Sequence, residues 1–202
     1  MIFKWYRRFL IWLTRSRLYR WALYKVIPYI RFTTYYTSMK GRVYHKGYDF
    51  LEPGDIILTT DSKKLTTIII GGEFSHAALC VSKDEGFECA EMTHTDFTKS
   101  TFADLCFQSD RVAILRCYDF DKEYTEKVIS KCKSLENCKY DTVFELNNQF
   151  LYCSELIYEA DLERRLKLDL SDLAGIGNKY ISPTGLLYAE NVNIIWDSGV
   201  TA

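Results

Sequence analysis

Apolar and polar positions follow two rhythms along this chain. Residues 55–59 (DIILT), 76–81 (HAALCV), 86–92 (GFECAEM), 111–118 (RVAILRCY) and 191–196 (NVNIIW) are short and mostly apolar. Bounded by turn formers such as Pro53 and Gly54, they predict strands. The second and third, separated by "SKDEG", read as a hairpin. A helical period replaces alternation over 121–137, where Val128, Cys132 and Leu135 make a stripe and Asn137 a stop. It returns over 152–166, where Cys153, Leu156, Ile157 and Ala160 fall at i, i+3, i+4 and i+7. Ser182 followed by Pro183 is a good cap and first helical position. "KKLTTIIIGG" supports both a strand, through its β-branched residues, and a short helix ended by Gly71 and Gly72. Helices mixed with hairpin-connected strands predict an α+β domain with a small antiparallel sheet packed against helices.

The first 48 residues follow a different pattern. Lys4, Arg7, Arg8 and Arg15 fall on one helical side and Ile2, Trp5, Phe9, Trp12 and Leu13 on the other. That predicts an amphipathic helix over about 2–15. Its longest uncharged apolar run, residues 9–13, is five residues, against the roughly 20 of a spanning helix. Nor is there the longer apolar core and small-residue cleavage site of a secretory signal.

At 202 residues the chain suits one domain with an appendage: a basic, aromatic helical arm over 1–48 and a body over 49–202. Charge sharpens the division. The arm carries eleven Lys/Arg and no acid; the rest carries fifteen against twenty-seven Asp/Glu, a net of −12. Three readings of the arm stay open: docking on the acidic body, attachment to an anionic membrane surface through Trp and Arg, or nucleic-acid binding. The last fits least, because nucleic-acid binding favours a basic folded platform.

Seven cysteines, an odd number with no CxxC pair, and only three histidines argue against both a disulfide framework and a zinc site. Reduced thiols in a cytosol-like compartment, with the chain at most at the membrane periphery, are the expectation.

Cys153 stands apart because it falls in the first turn of its helix. Free N–H groups and the positive dipole end there favour a thiolate, and the N–H groups of Cys153 and Ser154 could receive an oxyanion. The same position also suits a core cysteine. His76 opens an apolar strand after the loop "GGEFS". In the paired strand Glu91 shares a side with Phe87 and Cys89, so burial would require a partner, and His76 faces it across the hairpin. The alternative is that Glu88 points inward and Glu91 outward.

"GDIIL" (54–58), "FSHAALCV" (74–81), "EMTHTDF" (91–97), "KYDTVFEL" (139–146), "YCSELIYEA" (152–160) and "YISPTGLLYAE" (180–190) occur in that order. Over about residues 49–196 the chain resembles the circularly permuted NlpC-like cysteine hydrolases of papain fold, the YiiX/YaeF-like group. Where that family usually has a small residue after the Glu and a Gly a few places on, this chain has Met92 and Asp96. The resemblance implies Cys153 as nucleophile, His76 as general base and Glu91 as the residue orienting it. It also implies a thioester intermediate, no metal or organic cofactor, and an amide or ester substrate, peptide or lipid, handled by a hydrolase or acyltransferase. A non-catalytic, membrane-associated module keeping the same fold is the rival reading.

Overall fold

A computed structural model describes residues 16–26, 30, 39, 41–146, 148–172 and 179–199. The amphipathic helix expected over 2–15 lies outside them.

Helix α1 (Arg17–Lys25) starts at Ser16, whose hydroxyl accepts the Tyr19 N–H at 3.1 Å. Helix α2 (Gly41–Phe50) leads into β1 (Ile56–Thr60). "KKLTTIIIGG" resolves as a helix, α3 (Leu65–Ile70), closed by the Gly71 N–H on the Thr67 carbonyl. Strand β2 (His76–Ser82) turns through Glu85 and Gly86, both left-handed, into β3 (Glu88–Thr93) and β4 (Asp96–Thr101). Then come α4 (Phe102–Phe107), β5 (Arg111–Cys117) and α5 (Lys122–Ser134). The short β6 (Lys139–Tyr140) and β7 (Phe150–Leu151) precede α6 (Cys153–Ala160). A second short pair, β8 (Ser171–Asp172) and β9 (Lys179–Tyr180), is followed by α7 (Pro183–Leu187) and β10 (Val192–Asp197).

Six strands form one sheet in the order β10-β5-β1-β2-β3-β4, every neighbour antiparallel. Both faces are covered, so its central strands read as apolar runs rather than as a two-beat alternation. Ile56, Leu58, Ala77, Leu79, Ala90, Met92 and Leu115 pack with Tyr124, Val128 and Cys132 of α5 and Leu156, Ile157 and Ala160 of α6. Ile57, Ala78, Cys80, Cys89, Val112 and Ile114 pack on the other side with α2 and α4. This is the α+β architecture expected, with a small antiparallel sheet between helices.

Three differences from the sequence reading have physical causes. The helix placed over 152–166 ends at Ala160, because Asp161 takes over the chain. Its buried carboxylate accepts N–H bonds from Arg165 at 3.0 Å and Leu166 at 2.7 Å and the Tyr124 hydroxyl at 2.5 Å. Strand β4 is polar on both sides, which hid it, and α4 is announced only by the capping box of Thr101 and Asp104. The helix expected over 121–137 stops at Ser134, where the Leu135 N–H turns back to the Cys132 carbonyl.

The "GD" before β1 anchors the sheet. Asp55, buried, makes a bidentate pair with Arg116 of β5 at 2.7 and 2.8 Å and accepts the Glu52 N–H at 2.8 Å. Gly54 sits at φ +94, and a Cβ there would lie 2.4 Å from Thr125 Cγ2. Gly54→Ala therefore meets both left-handed strain and a clash. We expect it to cost about 2 kcal/mol or more of unfolding free energy in urea titration. An unchanged midpoint would show that this turn does not anchor the sheet.

Candidate active site

His76 is the first residue of β2, paired with Thr59 of β1. Two residues on, Ala78 stands opposite Glu91 of β3, so His76 and Glu91 lie diagonally on one face of the sheet. The side chains meet there: His76 Nε2 and Glu91 Oε2 are 2.5 Å apart. Glu91 is buried, and Glu88 instead reaches Lys99 near the surface at 3.6 Å.

Cys153 opens α6. Tyr152 ahead of it is extended (φ −105, ψ 174), and the first helical bond runs from the Leu156 N–H to the Tyr152 carbonyl at 3.0 Å. The residue is 2% exposed, and His76 and the N–H groups of Ala77 and Ser154 lie near enough to its sulfur to lower the thiol. Because Glu91 occupies Nε2, Nδ1 is the ring nitrogen left for the sulfur. The structure thus brings together Cys153, His76 and Glu91, and sets the Ser154 N–H beside them.

Electrostatics follow from this contact. Burial pulls the imidazole downward, but hydrogen bonds to the Cys153 sulfur and Glu91 and their charges push it up to about 10. Burial raises the Cys153 thiol, yet the hydrogen bond and charge of His76, with the two N–H groups, leave it lowered. Glu91, which burial would raise, is likewise held below its ordinary value by His76. Burial drives the thiols of Cys106, Cys117, Cys132 and Cys138 the other way, the first three to about 12, 11 and 12.

Several residues that support the site were not assigned a role from sequence. Asp141 accepts N–H bonds from Val143 at 2.7 Å and Glu145 at 2.8 Å and from the Asn148 amide at 3.0 Å, folding the loop ahead of α6. An aspartate bonding its own backbone two residues on is a turn signal readable in "YDTV". The loop holds Phe144 at φ +57, buried against the rings of Tyr140, Tyr152 and Tyr180. Asp96, standing in the family's glycine region, adopts φ +76 and accepts the Tyr140 N–H at 3.0 Å. Aspartate tolerates that conformation better than most residues, which is how the turn survives without glycine.

No group of three or more His, Cys, Asp or Glu among the described residues could hold a metal ion.

The pair's charges set a pH window. His76 is raised, so its contribution is present below its unfolded value and lost as pH rises through about 10. Cys153 is lowered, so its contribution is lost as pH falls through its folded value. We expect a thiolate absorbance near 240 nm at pH 7 that vanishes in Cys153→Ser and fades on acidification. An absorbance difference that develops only above pH 9 would contradict the ion pair.

Comparison with known proteins completes the picture. The family described as permuted papain-like amidase enzyme, YaeF/YiiX, matches residues 50–184. A crystal structure titled as the metalloprotein yiiX from Escherichia coli O157:H7 superposes with a TM-score of 0.62 at 14% identity, covering 72% of this chain and 96% of that one. No curated protein matches the sequence. With two faces of one sheet buried, a cysteine at a helix start and the family match over most of the body, the chain belongs to the permuted papain-like amidases of the YaeF/YiiX type, cysteine hydrolases of amide bonds.

Proposed function

We propose that Cys153 is the nucleophile of this amidase, His76 its general base and acid, and Glu91 the residue that orients and charges the imidazole. The 2.5 Å contact of Glu91 with His76 Nε2, leaving Nδ1 for the sulfur, is the observation that carries this reading. The Cys153 proton passes to His76 and the sulfur attacks the amide carbonyl carbon. Negative charge on the carbonyl oxygen is received by the N–H groups of Cys153 and Ser154 at the start of α6. The C–N bond then breaks, the departing amine takes the proton from His76, and a thioester remains. Water, deprotonated by His76, attacks the thioester; the acid leaves and the thiol is restored. An acceptor alcohol or amine in place of water would make the same site an acyltransferase.

The neighbour's title calls that protein a metalloprotein. The donor groups here do not fit such a role, since no metal-holding cluster is found among the described residues, and no step runs through a metal.

The substrate we favour is an acyl chain in amide or ester linkage at a membrane surface, with residues 1–48 as the attachment arm and 49–202 as the catalytic body. The support is the described part of the arm. Helix α1 leaves Leu18 73% and Trp21 57% exposed beside Arg17 and Lys25, an apolar and cationic pairing suited to anionic lipid. Among the described residues, no helix is long and apolar enough to cross a membrane.

An acyl-directed thiol probe should label wild type at Cys153, and Cys153→Ser and His76→Ala should each lower labelling and amide hydrolysis by 100-fold or more, on the order of single-residue general-base losses. Labelling of Cys153 no faster than of Cys106 or Cys132 would sink the assignment. For the arm, vesicles containing anionic lipid should co-sediment the full chain and not a chain lacking residues 1–38, which keeps Met39 and α2 packed on the sheet; equal binding of both would remove the membrane reading.

A further inference from the structure

Cys153 and His76 belong to different parts of the chain, and what brings them together is the approach of two side chains, not of two backbones. Core packing of α6 on β2 holds the two elements together, but it does not by itself fix the helix start against the strand start. One short segment touches both.

On the cysteine side, the two residues flanking Cys153 grip a single residue of that segment. The Ile181 N–H donates to the Tyr152 hydroxyl at 2.9 Å, and the Ser154 hydroxyl donates to the Ile181 carbonyl at 2.6 Å. Tyr152, Ser154 and Ile181 are all buried, so water does not compete for these bonds. On the histidine side, the Thr184 hydroxyl does the equivalent for Phe74, two residues before His76. It accepts the Phe74 N–H at 3.1 Å and donates to the Phe74 carbonyl at 3.2 Å. The Tyr180 hydroxyl adds a longer bond to the Ile70 carbonyl at 3.4 Å, where the histidine loop begins. The loop also sits close against Thr184. Gly72 is at φ +82, and a Cβ there would lie 2.4 Å from Thr184 Oγ1. The segment itself is braced by Ser182, whose hydroxyl accepts the Gly185 N–H at 2.8 Å and meets Ser171 Oγ at 2.8 Å.

We infer that residues 180–184 form a strut that sets the distance between Cys153 and His76, with Thr184 the positioning residue on the histidine side and Ser154 on the cysteine side. The inference rests on the reading of Cys153 and His76 as the reacting pair. Thr184 touches neither of them; it acts through the backbone of Phe74. Thr184→Val keeps the shape and removes both bonds, so the histidine loop is released from the strut while the core volume is conserved.

The test is the pH profile of Cys153 alkylation by iodoacetamide, followed at that residue by mass spectrometry on the full chain, with folded fraction checked by circular dichroism. Thr184→Val should move the acid limb up by about one pH unit and slow alkylation about tenfold at pH values on that limb, since there one unit is a tenfold change in thiolate. Thr184→Ser, which keeps the hydroxyl, should restore the wild-type profile. If Thr184→Val does not fold, Ser154→Ala loosens the strut from the other end and should give the same shift. A folded Thr184→Val or Ser154→Ala protein with the wild-type profile, or a Thr184→Ser protein shifted as far as Thr184→Val, overturns the strut. His76→Ala separates the two levels: if it leaves the profile unchanged, the reacting pair itself is wrong and the strut falls with it. If it abolishes the neutral-pH reaction while Thr184→Val does not shift the acid limb, only the strut is wrong.

Discussion

The bond from His76 Nε2 to Glu91 Oε2 is the interaction on which the rest of the site depends. An imidazole has two nitrogens, and fixing one decides what the other meets. With Nε2 held at 2.5 Å by a buried carboxylate, the ring is oriented, its positive form is favoured, and Nδ1 is left for sulfur. That contact is itself a matter of strand register. Glu91 stands opposite Ala78, and a slip of one residue would turn it to the opposite face. The irregularity between Cys80 and Ser82, and the left-handed turn through Glu85 and Gly86, therefore belong to the site's geometry although they lie at the far end of the hairpin.

Much of this was legible in the chain itself, and what was not has identifiable reasons. The runs "DIIL", "HAALCV" and "RVAIL" announce strands because a sheet covered on both faces needs apolar residues at every position. The side of Glu91 could be read from parity with Cys89, since a two-residue period needs no tertiary information. Strand β4 was illegible because its partners satisfy it from one edge and its polar side chains face the surface region. The end of α6 was illegible because good helix formers continue to residue 166, while a single buried carboxylate, Asp161, captures the N–H groups that a longer helix would have used internally. Strain was also hidden. Nothing about Phe144 or Asp96 as residue types requires a positive φ; hydrogen bonds made by Asp141 and by Asp96 itself hold the two turns.

The cysteines show how one residue type is given opposite properties by its surroundings. Cys106 and Cys132 are surrounded by apolar side chains, where a thiolate would lose its hydration with nothing in return, so they serve as small core residues. Cys153 is equally buried, but it faces an imidazole and two N–H groups. Burial alone does not decide which way a thiol is shifted here. The difference is whether the buried charge finds partners.

The contacts of residues 180–184 have a bearing on the chain's synthesis. A ribosome delivers His76 first, Glu91 next and Cys153 much later, and the segment that touches the backbone on both sides of the site later still. A nascent chain that has emerged as far as residue 160 already carries the three side chains that could react, but not Ile181 or Thr184. On the strut reading, the site assembles only after residues 180–184 have emerged. On the same reading, until that segment arrives Cys153 is an ordinary thiol, and neighbouring nascent chains with their many amide bonds are spared its attack.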